Sequence, residues 1–152
     1  MSTTSQLLVY DALVAALNVA PALAGGNIKT MRDTNRAMDV EQASQIRVFL
    51  DQSLPTALIG GAAPVDWSTR IRINCLARDV LGASPLKAFD AVSTLAASVQ
   101  QRVLESAALS SLLEQVQPAP MQWAEDEFDT ALGACQCLFT LVHRAPFTNL
   151  IV

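Results

Sequence analysis

One histidine in 152 residues, His143, sets the first limit on chemistry. Any Ser-His or Cys-His catalytic pair would have to use it. It lies near the end of an apolar, alternating run, and no nucleophile-elbow sequence accompanies it. Glycine is also sparse. Gly25-Gly26 and Gly60-Gly61 lack the Lys-Ser/Thr of a phosphate-binding loop and the spaced glycines of a dinucleotide fold. Three cysteines, Cys75, Cys135 and Cys137, are an odd count, so they cannot all pair within one chain. Cys135-x-Cys137 with His143 lacks a fourth ligand at ordinary spacing, so no metal is expected. The reading is therefore a protein with no catalytic residues, no cofactor and no metal.

Charge is scarce as well. Charged residues make up 16%, with two lysines, eight arginines and a net charge of −4. A protein that grips nucleic acid through phosphates usually shows a basic cluster, and none is present, so no specific nucleic-acid binding is expected. A long hydrophobic run is missing too. Leu7 to Leu23 is broken by Asp11 and Asn18 and carries Pro21 near its end, whereas a membrane span needs about 20 mostly apolar residues. No Lys or Arg precedes Leu7, which argues against a secretory signal and for the cytoplasm where the chain is made.

What the chain has is apolar surface. Hydrophobic residues reach 51% and mean hydropathy is +0.32. Without a membrane span, that excess points to burial against other subunits. The length fits one domain, residues 1–152.

The patterning gives the elements in order. Residues 5–20, rich in Ala and Leu, predict a helix with Ser5 as its cap; Leu8, Ala12, Ala15 and Val19 fall at helical spacing, and Pro21 and Gly25-Gly26 end it. Residues 24–43 are polar and aperiodic and read as a loop, with room for a short strand at Ile28–Met31. Residues 45–51 alternate, with Ile46, Val48 and Leu50 on one face; the strand is expected to bend at Pro55 and reach Ile59, before a turn at Gly60–Pro64. Residues 67–78 give the clearest strand, Ile71, Ile73, Cys75 and Ala77 pointing one way and Arg70, Arg72, Asn74 and Arg78 the other. Residues 85–106 predict an amphipathic helix opened by Ser84-Pro85, its apolar stripe being Phe89, Val92, Ala96, Val99 and Val103. A second helical stretch is expected at Ala108–Val116. Strands at 121–124 and 132–143 follow around an acidic turn. The fold class is α+β, a single mainly antiparallel β-sheet with helices packed on one face.

Two charged groups are candidates for contact between subunits. Arg70, Arg72 and Arg78 form a stripe on one strand face; it is either solvated, paired with carboxylates of another subunit, or, against the net negative charge, in contact with passing DNA. Glu125, Asp126, Glu127 and Asp129 are either a solvated turn or a knob that meets a basic patch on a neighbour. They lack the spacing and glycine of a calcium loop.

Gln45-Ile-Arg-Val-Phe-Leu-Asp-Gln-Ser53 and Asp66-Trp-Ser-Thr-Arg-Ile-Arg-Ile-Asn-Cys-Leu-Ala-Arg-Asp79 resemble the central hairpin of tail terminator proteins of long-tailed phages and prophages. A long helix with Leu86–Val92 and Val99–Val103 follows, and Met121–Trp123 with Gly133–Arg144 closes the chain, as in that family. The resemblance spans about residues 5–144. It implies a minor tail protein that forms a ring, a hexamer on the tail, capping the tail tube. It also implies that the ring ends tail polymerisation and offers the surface that joins the head. The implied partners are the chain itself, the tail tube protein and a head-completion or neck protein, in the virion tail after assembly in the host cytoplasm. The competing readings are another neck, head-closure or tail-completion protein, or a small ligand-binding or enzymatic α+β domain. Loops 24–43 and 57–66 are expected to be mobile in the free subunit and to order on assembly.

Overall fold

A computed structural model describes residues 4–35, 37–55, 64–79, 85–125 and 132–146. Its centre is three long strands whose alternating sequences suit an antiparallel sheet: β2 (Ser44–Pro55), β3 (Pro64–Arg78) and β6 (Leu132–Pro146). β3 lies between the other two, antiparallel to both, in register from Ser44↔Ala77 to Pro55↔Trp67 and from Pro64↔Pro146 to Arg78↔Leu132. A bulge between Leu50 and Gln52 shifts the β2 register. A two-residue strand, β1 (Ile28–Lys29), adds parallel to β2 at one edge. β4 (Gln115–Pro118) and β5 (Gln122–Glu125) pair with successive stretches of β6 at the other. The architecture is the expected α+β one, a mainly antiparallel sheet with its helices on one face.

The inner face carries Ile46, Val48, Ile71, Ile73, Cys75, Cys137, Phe139 and Leu141. Against it pack α1 (Ser5–Asn18), through Val9, Leu13 and Leu17, and α2 (Pro85–Glu105), through Val92, Ala96, Val99 and Val103. Each of these larger side chains contributes about 1.5–3 kcal/mol by leaving water. Gly133 marks the closest approach of the two layers. A Cβ there would stand 2.8 Å from the Ala88 carbonyl oxygen and 3.1 Å from Val92 Cγ1, so a side chain would force α2 off β6.

The structure corrects several expectations. The buried stripe of α2 begins at Ala88, 1% exposed, and not at Phe89, which is 48% exposed. With α2 seated this low over Gly133, only an alanine fits beneath it. The helix expected at Ala108–Val116 is the single turn α3 (Ala107–Ser110), capped by Ser106; Gln115–Pro118 is strand because β6 offers a free edge there. Thr4, not Ser5, caps α1, its Oγ1 accepting from the Leu7 N–H at 3.2 Å. The buried face of α1 is Val9, Tyr10, Leu13, Ala16 and Leu17, rotated from the expected stripe; Leu8 and Val19 are exposed. The helix is apolar on nearly every side, so its spacing alone does not select a face.

Residues 24–43 are tied down at many points. Ala24, Gly25 and Gly26 all have positive φ, which glycine adopts without strain and which turns the chain toward β1. Asn27 Nδ2 donates to the Ser44 carbonyl at 2.9 Å and to Gln42 Oε1 at 3.0 Å. The buried Tyr10 hydroxyl donates to the Val48 carbonyl at 2.8 Å and accepts from the Met31 N–H at 3.1 Å. Arg32 binds Asp11 at 2.7 Å and stacks over the Tyr10 ring. Of the second expected loop, residues 57–63 lie outside the described residues, as does the extension of β2 toward Ile59.

Candidate interaction surface

The outer face of the sheet carries the arginine stripe, because the alternation that sends Ile71, Ile73 and Cys75 inward sends their neighbours outward. Its three members are in different states. Arg70 is exposed, flanked across the strands by Gln52 and Thr140; it has no ion pair among the described residues. Arg72 is held within its own subunit. Its guanidinium contacts Asp51 at 3.1 and 3.2 Å and lies over the Phe49 ring, 4.6 Å from the centroid. Arg78 is half-buried at the end of β3, opposite Leu132. Eight residues separate Arg70 from Arg78, about 26 Å along a strand, so the stripe is not a single cluster.

Glu125 is the last residue of β5 and pairs with Gly133. Asp126, Glu127 and Asp129 lie outside the described residues. Arg70 pairs with Thr140, seven positions along β6 from Gly133, or roughly 23 Å. Glu125 and Arg70 therefore sit too far apart to meet within one subunit.

His143 is 2% exposed. Its Nε2 is 2.9 Å from Thr69 Oγ1, which is 2.7 Å from Ser53 Oγ. Burial pushes its pKa below the usual 6.5 and keeps it neutral. No carboxylate is among its hydrogen-bond partners in the described residues. Cys75 and Cys135 face each other across β3 and β6, with Cys137 one pair further on. All three are buried thiols. Hydrogen bonding to Cys137 and burial push Cys75 up; burial pushes Cys135 up to about 12; Cys137, the acceptor of both bonds, is lowered. The cluster lies in the core beneath the helices, away from the outer face.

Three features had no strong signal in the sequence. One is an ion pair on the outer face, Arg144 to Asp66 at 2.8 Å, which holds the Asp66 carboxyl below its usual range. The second is a cleft of about 540 Å³ where α1 ends against α2 and α3, lined by Val19, Ala20, Glu105, Ser106 and Arg102. Arg102 spans it, donating to the carbonyls of Val19 and Pro21, both at 2.6 Å. The third is an exposed aromatic pair. Phe89 and Trp123 stand with ring centroids 6.4 Å apart, and Trp123 Nε1 donates to Ser93 Oγ at 3.1 Å. Only their contact across α2 and β5 reveals them as a unit, and that contact is non-local.

No protein-family model matches the chain, and no curated protein matches it in sequence. Among solved structures, the fold is similar to that of a chain in the virion of a native gene transfer agent particle. The two share 10% identity and a TM-score of 0.54, over 93% of this chain and 96% of the other. At that identity the likeness is one of fold, and it extends over nearly the whole of both chains.

Proposed function

We propose that the chain is a structural protein of a phage or prophage virion, acting as a tail terminator. In this reading its copies close into a ring, a hexamer, on the end of the tail tube, stop tube growth and present the surface that joins the head. The observation that carries the reading is the end-to-end likeness to a chain of a virion particle. The hairpin and closing-strand resemblance narrows it to the terminator. The apolar excess, with no helix among the described residues long and apolar enough to cross a membrane, is consistent with subunit contacts. The work is done by surfaces: the tube protein and a neck protein are the partners, and no bond chemistry is needed. Deletion tests it. Without the chain, tubes should grow beyond their normal length and remain headless, and supplying it in trans should restore length and titre. Tubes of normal length that lack only heads would instead assign a neck or head-closure role.

A further inference from the structure

A guanidinium stands at the centre of the outer sheet face. Arg70 lies on β3, the middle of the three long strands, exposed and without an ion pair among the described residues. Beside it across the strands are the neutral Gln52 and Thr140. At the four diagonal positions, roughly 7–8 Å away, the side chains are apolar: Phe49 and Leu54 on β2, Leu138 and Val142 on β6. Leu54 is 53% exposed and the other three are half-buried. Two ion pairs within the subunit flank this ring along the strands, Arg72 with Asp51 and Arg144 with Asp66. The end of the face near Gln45 is different. There Gln45 is fully buried and donates to the Ala37 carbonyl at 3.3 Å, so the chain's own loop, which carries Asp39 and Glu41, comes over the sheet.

A charge ringed by apolar side chains limits what can cover it. Any surface that lands on Phe49, Leu54, Leu138 and Val142 takes water from Arg70, and burying an unpaired guanidinium is costly. The partner therefore has to bring an anion to the middle of an apolar patch. A nucleic-acid backbone has anions but nothing apolar for the four corners. The flanking ion pairs are neutral and leave one net positive charge in this part of the face, too few to hold a run of phosphates. Two copies stacked face to face would set Arg70 against Arg70. Resting on the virion reading above, we propose that the outer face docks a different virion protein, which presents an Asp or Glu to Arg70 within an apolar rim. Arginine sealed from water in this way is a common anchor of protein interfaces.

The test is carbodiimide crosslinking in finished particles that carry Arg70→Lys. The substitution keeps the charge and supplies an amine, which condenses with a carboxylate it touches. Peptide mapping separates position 70 from Lys29 and Lys87. The expected product is an amide between position 70 and an Asp or Glu of a different virion protein. Hydroxyl-radical labelling of the unaltered chain is the companion measurement, and labelling of Phe49 and Leu54 should fall severalfold from free chain to particle. No crosslink at position 70, or crosslinks only to Asp51, to Asp66 or to another copy of this chain, would overturn the proposal while leaving the virion reading intact. Equal labelling in both samples would do the same, and this labelling stands alone if the altered chain does not enter particles. A mixed-sequence DNA duplex bound by the free chain at about 0.15 M salt, and released by Arg70→Glu, would give the face to nucleic acid instead. Absence of the chain from particles would remove the virion reading, and this inference with it.

Discussion

Arg70 and Arg72 sit two positions apart on one strand face, yet the structure gives them different work. A Glu at position 70 enters solvent and should change stability by about 0.5 kcal/mol or less. A Glu at position 72 loses the Phe49 stack and faces Asp51. It should lower stability by about 1 kcal/mol, a modest figure because both partners are partly exposed to solvent. Urea unfolding of the two single variants checks this, and equal midpoints would contradict it. The sequence showed both arginines to be outward-facing but not the cis partner, because Asp51 is turned toward Arg72 at the β-bulge. Gly133→Ala should cost roughly 1–3 kcal/mol through the clash with Ala88; a variant as stable as the parent would show that α2 can lift freely. His143 supplies a pH dependence. Its folded pKa lies below its unfolded value near 6.5, so the unfolded chain binds the proton more readily. The stability it secures is complete above about pH 6.5 and is lost as pH falls through the folded pKa. His143→Gln should flatten that part of the pH curve while lowering stability by roughly 1–3 kcal/mol throughout. An unchanged slope would place the titration elsewhere.

Strong periodicity was readable at the level of elements, and weak periodicity was not. β3 and β6 alternate over many residues and their burial largely follows; in β2 it does so from Ile46 to Val48, and past the bulge even Leu54 is exposed. α2 was legible in extent, with an error of one position in its stripe, because a close helix-sheet approach excludes Phe89 and admits Ala88. The segment after α2 misled because Ala108–Val116 carries helix-favouring residues, while the free edge of β6 takes Gln115–Pro118 into the sheet. Tertiary context overrides propensity in so short a piece. The loop before β2 showed only polar composition in the sequence, and its anchors come from residues far away, Tyr10 and Asp11. Those anchors bear on the expectation that residues 24–43 are mobile in the free subunit. Tyr10→Phe removes the bonds to Val48 and Met31 and should cost about 1 kcal/mol. It should also speed amide exchange of residues 28–33 in the isolated chain while β3 and β6 stay protected. Exchange in that segment that is already fast in the parent and unchanged by the substitution would mean that the loop is not held by Tyr10.

At the scale of the whole molecule, a mainly antiparallel sheet with one helical face leaves, among the described residues, two edges and one sheet face for contact with other chains. A protein that works by assembly uses such surfaces, and the likeness to a virion chain runs through the whole fold and not through one motif. In the proposed function the outer face, with Arg70, is available to the tube or the neck. Arg70→Glu should then reduce tail completion with little loss of stability, since like charges placed across a contact cost several kcal/mol; full titre from this variant would show that the face is merely solvated. Cryo-electron microscopy of finished tails bears most directly on the central proposal. The expected result is a closed ring of this chain at the head-proximal end of the tube, one layer thick and joined subunit to subunit around the axis. A tube that ends without that ring, or this chain found only elsewhere in the particle, would contradict it.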